Sequence, residues 1–86
     1  MTMEHIIDCR QIDSRGELHR TLAKELNFPD WYGHNLDALY DLLTVLREDT
    51  HLIFRNWNPS APAFKGLKPV LEDVASRNPH LTVSYK

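Results

Sequence analysis

The sequence predicts an α/β fold in which a small three-stranded parallel sheet is packed by three to four helices. Short apolar runs alternate with amphipathic stretches, and strands separated by helices join through right-handed crossovers into a parallel sheet. The chain has 86 residues, which suits one small domain, so residues 1–86 are expected to form a single domain. Hydrophobic residues make up 42% and charged residues 26% of the chain, as in folded globular proteins.

The first strand and the first helix are predicted from an apolar run and a capping signal. Residues 4–9 include two adjacent isoleucines and are expected to form a buried strand. Ser14 followed by Glu17 has the spacing of a helix capping box. Leucines then recur at four-residue intervals over 18–26, which gives the helix one apolar face. Pro29 prevents this helix from continuing.

The remainder of the chain predicts two more helices and two more strands. A helix is expected to begin near Asn35, a good N-cap, and to run to about Arg47. The apolar segment 51–55 is expected to form the second strand. Apolar residues at i, i+3, i+4 and i+7 predict a helix over 67–77, and alternation over 80–85 predicts the last strand.

Charge is unevenly placed, although the formal net charge is only −2. Residues 30–49 contain five acidic residues and one basic residue, which gives −4, and the rest of the chain gives +2. An acidic patch attracts basic proteins and repels nucleic acid. A direct nucleic-acid role is therefore not expected, because the sequence also lacks a basic stripe with interleaved aromatic residues.

The cellular compartment is inferred from the apolar segments and the cysteine content. No apolar run approaches the roughly 20 residues of a membrane span, and the first residues lack the features of a secretory signal. Cys9 is the one cysteine, so an internal disulfide is excluded, and a small buried apolar role is expected for it. These features predict a cytoplasmic protein that does not contact membranes.

The most informative residues are Asp37 and Asp41, which we call the acidic ridge. They are four residues apart, so a helix places both carboxylates on one face, away from its leucine stripe. An aromatic-glycine turn precedes them. A carboxylate accepts the same bidentate hydrogen bonds from a guanidinium group as a phosphate does. The acidic ridge is therefore suited to imitate phosphates in front of a basic protein.

Three features resemble a known protein family: the segment 18–26, the run PDWYGHNLDALYD at 29–41, and Thr44. They resemble the barstar family, whose members are cytoplasmic inhibitors of microbial ribonucleases. The predicted order of strands and helices matches that family over nearly the whole chain. The resemblance implies a non-enzymatic inhibitor of immunity-protein or antitoxin type. Such a protein needs no cofactor or metal, is a monomer when free, and binds a secreted basic ribonuclease (barnase-like) or a related toxin.

The resemblance also implies which residues bind the partner. Family members block the nuclease active site with the second helix and the loop before it. Asp41 matches the chief inhibitory aspartate, whose carboxylate takes the place of a substrate phosphate, and Asp37 matches a second acidic contact. The full implied set is Trp31, Gly33, His34, Asn35, Asp37, Ala38, Tyr40, Asp41 and Thr44, with Asp30 and Ser76 as candidate additional contacts.

Departures from the family pattern support a second interpretation. Leu46 replaces a usual aromatic residue, and Ser76 stands where the family's best-known member has a glutamate contact. His34 stands where an acid is common. These differences favour, as the alternative, a barstar-fold interaction module for a basic toxin that is not a ribonuclease or for a regulatory partner.

The acidic ridge is also consistent with other interpretations. Without the family resemblance, Asp37 and Asp41 would be a solvated helix face. With His34 they would resemble a metal site, but no fourth ligand follows in sequence. As two carboxylates they would resemble a glycosidase pair, which a chain of 86 residues without pocket-forming insertions disfavours.

Aromatic and glycine residues are predicted to have mixed roles. Of the adjacent rings, Trp31 is predicted to be exposed and functional and Tyr32 to be structural. Gly33 is predicted to need a positive φ angle. Trp57, in a proline-rich loop over 57–62, is left open between the core and the surface. The remaining histidines are interpreted as surface or packing residues: His5, His19, His51 and His80.

Overall fold

The protein's structure, a computed structural model that describes residues 2–86, has the α/β architecture predicted from the sequence. Its strands are β1 (Met3–Asp8), β2 (Thr50–Arg55) and β3 (Leu81–Tyr85). Its α-helices are α1 (Arg15–Leu26), α2 (Leu36–Thr44) and α3 (Leu67–Arg77), and short 3-10 helices cover Cys9–Gln11 and Pro62–Phe64. The predicted fold class is therefore confirmed. Met1, which the single-domain prediction over 1–86 includes, lies outside the described residues.

The strands form one sheet in sequence order. β1 pairs with β2 and β2 pairs with β3, and both pairs are parallel. Ile7 is in register with Phe54, and Phe54 is in register with Tyr85. Alternate residues of a strand share a face, and on this face Ile7, Leu52 and Phe54 are fully buried.

A hydrophobic core joins this sheet face to all three helices. Its largest fully buried side chains are Ile7, Leu18, Leu22, Leu39, Leu43, Leu52, Phe54, Leu67, Leu71 and Val74. Burying one leucine side chain contributes about 1.5–3 kcal/mol relative to leaving it exposed. Leu39 and Leu43 come from α2, so the apolar side of the helix that carries the acidic ridge is fixed against the core.

Local interactions begin and end the helices close to the predicted residues. The Ser14 side chain accepts a hydrogen bond from the Glu17 amide at 3.2 Å, which confirms it as the N-cap of α1. α1 ends at Leu26, and the capping residue Asn27 that follows has a left-handed backbone with φ 55°. α3 follows Gly66, whose φ is 80°, and Pro69 lies in its first turn, where no intrahelical donor is lost.

The predicted end of α2 at Arg47 is wrong by three residues, because α2 ends at Thr44. Val45 has φ −100° and ψ 6°, and the Leu46 amide donates to the Leu43 carbonyl instead of continuing the α-helical pattern. The buried Asn78 side chain, distant in sequence, donates to the carbonyl oxygens of Leu43 and Leu46 at 2.9 and 3.1 Å. The carbonyls at the end of α2 are thus satisfied without another helical turn.

Two smaller predictions differ at their boundaries. Cys9 was predicted to end the first strand, but it begins a 3-10 helix; it is buried, as predicted, and burial raises the pKa of its thiol to about 11. The loop predicted over 57–62 ends one residue early, because Pro62 begins a 3-10 helix. Trp57 is half-buried and packs on Phe64, with ring centroids 5.2 Å apart, so it belongs to the edge of the core.

No helix within residues 2–86 combines the length and the apolar character needed to cross a membrane.

Candidate partner-binding site

The two adjacent aromatic rings in the turn before α2, those of Trp31 and Tyr32, lie in different environments. Tyr32 is buried, packs on Phe28 with ring centroids 4.8 Å apart, and shares a 2.6 Å hydrogen bond between its hydroxyl and Nδ1 of His19. Burial raises the pKa of Tyr32 to about 12. Trp31 is 75% exposed. The predicted structural role of Tyr32 and the predicted exposure of Trp31 are both seen, and Tyr32 fixes the turn that presents Trp31.

The residues directly before α2 prepare the helix start, and one of them corrects a prediction. His34, not Gly33, has the left-handed backbone, with φ 53°. A Cβ at position 33 would lie 3.0 Å from Nδ2 of Asn35, so a larger residue there would crowd the side chain that caps α2. Asn35 is the N-cap: its Oδ1 accepts from the Ala38 amide at 2.7 Å, and its Nδ2 donates to the Gly33 carbonyl at 3.1 Å.

The acidic ridge points into solvent. Asp37 and Asp41 are exposed, and within residues 2–86 neither carboxylate makes a salt bridge or a side-chain hydrogen bond. They lie one turn apart on α2, on the side opposite Leu39 and Leu43. Asp37 also lies in the first turn, where the helix dipole stabilises its charge by about 0.3–1 kcal/mol. Both carboxylates are therefore free to bind a cation from outside the chain.

Other predicted site residues on α2 are only partly available. Ala38, Tyr40 and Thr44 are half-buried. The Thr44 hydroxyl donates to the Asp41 carbonyl at 3.0 Å, so it takes part in the helix end. Asp30 is exposed in the turn before Trp31.

The end of α3 differs from the acidic ridge in charge. Ser76 is exposed, but its hydroxyl donates to the Asp73 carbonyl at 2.6 Å within α3. Next to it, Arg77 pairs with Asp73 at 3.1 Å. The hydrogen bond to Asp73, the charge of Asp73 and the nearby Tyr40 raise the pKa of Arg77 above its usual range. This end of α3 therefore carries an ion pair, and Ser76 itself carries no charge.

Two features of the site were missed from the sequence. One is the buried side chain of Asn78, which fixes the end of α2 from more than 30 residues away. A cavity of about 250 Å³ lies beside the start of α2 and is lined by Arg15, His19, His34 and Lys65 together with Asp37. Its residues come from separate segments, so no spacing within the sequence could have indicated it.

Burial changes the chemistry of His19 in this cavity. The side chain is 3% exposed, and this desolvation, followed by the nearby His34 and Arg15, lowers the pKa of His19 below its usual value of 6.5. The ring is therefore neutral at neutral pH. Elsewhere, no three His, Cys, Asp or Glu residues in the described part of the chain are arranged to share a metal ion.

Fold and site together define a small α/β protein that presents two exposed carboxylates on one helix and an exposed tryptophan in the turn before it. The family model described as Barstar (barnase inhibitor) matches residues 2–85, and the chain belongs to this family. The family resemblance predicted from the sequence is thus confirmed. The chain is also similar to a Bacillus subtilis (strain 168) protein named "Putative ribonuclease inhibitor YrdF", with 54% identity over 39 residues. That alignment covers 45% of this chain and 43% of the relative.

Proposed function

We propose that the protein binds a basic ribonuclease one-to-one and occludes its active site with α2 and the preceding turn. Family membership and the name of the Bacillus subtilis relative support a ribonuclease-inhibitor role. The observation that carries the mechanism is the exposure of Asp37 and Asp41, whose carboxylates have no partner among residues 2–86. A carboxylate that is already paired would have to break that pair before it could bind arginine or lysine.

The scaffold supports the proposal because it keeps the acidic ridge rigid. Leu39 and Leu43 fix one side of α2 in the core, and Asn35 and Asn78 fix its two ends. A preformed helix avoids the entropy cost of ordering the binding segment. Trp31 adds a large exposed ring beside the charges, which is the kind of side chain that anchors protein interfaces.

Within this proposal, Asp41 takes the place of a substrate phosphate among the cations of the nuclease, and Asp37 pairs with a neighbouring cation. Gly33 and Asn35 act through the geometry of the turn, while Trp31, His34, Tyr40 and Thr44 form the surrounding contact surface. The protein catalyses nothing in this role. It protects the producing cell from its own secreted ribonuclease, as an immunity protein or antitoxin in the cytoplasm does.

The mechanism is tested by comparing three carboxylate variants in titrations against a basic ribonuclease that the wild-type protein inhibits. Asp41→Ala is expected to weaken binding by about 2–5 kcal/mol, a range that comes from charged interfaces including barnase–barstar and not from this structure. Asp30→Ala is expected to have a much smaller effect. Asp13→Ala, an exposed carboxylate before α1, is the matched control and should leave binding unchanged.

Salt provides an independent measurement of the same mechanism. Wild-type affinity should fall as ionic strength rises, because screening shortens the range of charge attraction from about 10 Å at 0.1 M to about 3 Å at 1 M. The Asp41→Ala variant should show a shallower salt dependence than wild type. Equal losses from Asp41→Ala and Asp13→Ala, or an affinity independent of salt, would refute phosphate imitation by the acidic ridge.

A second candidate is a barstar-fold module that binds a basic toxin other than a ribonuclease or a regulatory protein. The observation that favours it is the end of α3, where Arg77 forms an ion pair with Asp73 and the Ser76 hydroxyl is bonded within its own helix, so Ser76 supplies no acidic contact. Co-purification of the protein with candidate ribonucleases distinguishes the two. Failure to retain any ribonuclease, with retention of another basic protein that Asp41→Ala weakens, would favour the second candidate.

A further inference from the structure

The cavity beside the acidic ridge contains charges of the opposite sign. Arg15 comes from the first position of α1, Lys65 follows the 3-10 helix Pro62–Phe64, and His34 comes from the turn before α2. Within residues 2–86, neither Arg15 nor Lys65 forms a salt bridge with a carboxylate. Asp37 lines the same cavity, so the cavity adjoins the acidic ridge.

A buried hydrogen-bonding group lines the cavity as well. Nδ1 of His19 is occupied by the Tyr32 hydroxyl at 2.6 Å, while its Nε2 makes no hydrogen bond to any residue that the structure describes. In the tautomer in which Nδ1 accepts from Tyr32, Nε2 carries the proton and can donate. In that tautomer the cavity offers an imidazole N–H together with two cations that have no carboxylate partner within residues 2–86, and all three groups suit an anion.

We propose that this cavity receives the carboxylate of an aspartate or glutamate of the nuclease, next to the nuclease cation that pairs with Asp37. This inference rests on the proposed function and specifies the partner surface. The cationic groove of the nuclease would be bordered by an acidic side chain, so that positive and negative charges alternate across the interface. A nucleic-acid phosphate is disfavoured as the ligand, because a polyanion entering here would be repelled by Asp37 and Asp41.

The sign of the effect of removing a cation provides the test. A basic nuclease repels cations at a distance, so removing one from this protein should leave binding unchanged or make it tighter. Removing a cation that contacts a nuclease carboxylate should weaken binding instead. Arg15→Gln and Lys65→Gln are therefore expected to weaken binding by about 10-fold or more each, since charged hydrogen bonds contribute about 1.5–3 kcal/mol. The loss should lie mainly in faster dissociation.

Matched controls remove a cation of the same type elsewhere. Arg55→Gln on β2 and Lys24→Gln on α1 change the net charge equally, and both residues are exposed and lie outside the cavity lining. Arg15→Lys should retain most of the affinity, because the charge is kept. If Arg15→Gln and Lys65→Gln bind the nuclease as tightly as the controls, the proposal is refuted.

A measurement on the free protein separates this inference from the proposed function. If the wild-type protein inhibits no basic ribonuclease, the proposed function fails, and the cavity is then tested by NMR titration with acetate against chloride at equal ionic strength. Saturable shifts of the His19 ring and the Leu36 amide, lost in the combined Arg15→Gln and Lys65→Gln variant, support a carboxylate site. Absence of these shifts, or stronger shifts with a short single-stranded oligonucleotide, would overturn it.

Discussion

Replacing Asn78 should lower the free energy of unfolding far more than replacing a single side-chain amide ordinarily does. Its side chain is buried, and its Nδ2 donates to the carbonyl oxygens of Leu43 at 2.9 Å and Leu46 at 3.1 Å, with Thr44 at 3.4 Å. Its Oδ1 accepts from the His80 amide at 2.9 Å. An amide nitrogen has two hydrogens, so two of the three carbonyls can be satisfied well at one time.

The magnitude follows from these bonds. Asn78→Ala removes two donated bonds and one accepted bond, and each buried hydrogen bond contributes about 1 kcal/mol, which gives a loss of about 3 kcal/mol in the free energy of unfolding. For a chain of this size, such a loss lowers Tm by about 12–24 °C. The midpoint of urea unfolding should fall by about 1–3 M with an unchanged slope.

Two further variants determine whether hydrogen bonding is the cause. Asn78→Asp keeps the volume and the acceptor, but it places a carboxylate oxygen against the carbonyls of Leu43 and Leu46, so it should cost as much as Asn78→Ala or more. Asn58→Ala removes one exposed bond, from the Ser60 amide, and should cost about 0.5–1 kcal/mol or less. A loss for Asn78→Ala no larger than for Asn58→Ala, or a near-neutral Asn78→Asp, would refute this reasoning.

Two more predictions, on stability and on its dependence on pH, follow from the hydrogen bond between Tyr32 and His19. Tyr32→Phe should lower the free energy of unfolding, measured by thermal unfolding, by about 1–2 kcal/mol. Tyr85→Phe is the control and should be neutral or stabilising, because the buried Tyr85 hydroxyl has no hydrogen-bond partner within residues 2–86. Similar losses of stability from both variants would contradict this prediction. The pKa of His19 is lowered in the folded state, so His19 of the unfolded chain takes up a proton first as the pH falls below 6.5. The contribution of neutral His19 to the free energy of unfolding is therefore complete above pH 6.5 and is lost as the pH falls through the lowered folded pKa. The loss is at most about 1.4 kcal/mol per pH unit. Urea unfolding at pH 7.5, 6.5 and 5.5 should show this loss in wild type and less of it in His19→Gln; identical pH profiles would exclude His19 as its source.

Most of the fold could be predicted because its signals are local. The cap at Ser14, the leucine spacing over 18–26, and Pro69 in the first turn of α3 each act within a few residues of one another. A hydrophobic period of 3.6 or 2 residues reflects the same burial that forms the core, so the strands and helices were found in the correct order. Alternation over 80–85 similarly predicted the last strand, which the structure has at Leu81–Tyr85.

The predictions that failed depend on residues distant in sequence or on backbone detail. The end of α2 is determined by Asn78, more than 30 residues later, and the leucine spacing near Leu46 contains no sign of it. Glycine at position 33 indicated a left-handed backbone, but His34 takes the positive φ instead, and the feature seen at Gly33 is the close approach of Asn35, whose Nδ2 would lie 3.0 Å from an added Cβ. A glycine in a turn is consistent with either cause.

The site shows the same division between local and distant determinants. The spacing of Asp37 and Asp41 was enough to predict one exposed face, because helical geometry alone relates residues four apart. Whether these carboxylates were free of internal partners depended on where every cation of the chain lies. Arg15 and Lys65 come from separate segments and meet only in the folded protein, beside the start of α2.

The two asparagines at the ends of α2 connect stability to the proposed binding role. Asn35 acts through residues two and three positions away, whereas Asn78 acts across the α2–α3 contact. Each provides backbone hydrogen bonds that the helix end would otherwise take from solvent. Because α2 is secured by uncharged amides at both ends and by leucines on one side, it needs no salt bridge from Asp37 or Asp41. The fold can therefore leave both carboxylates unpaired, which is the condition that binding a cationic partner requires.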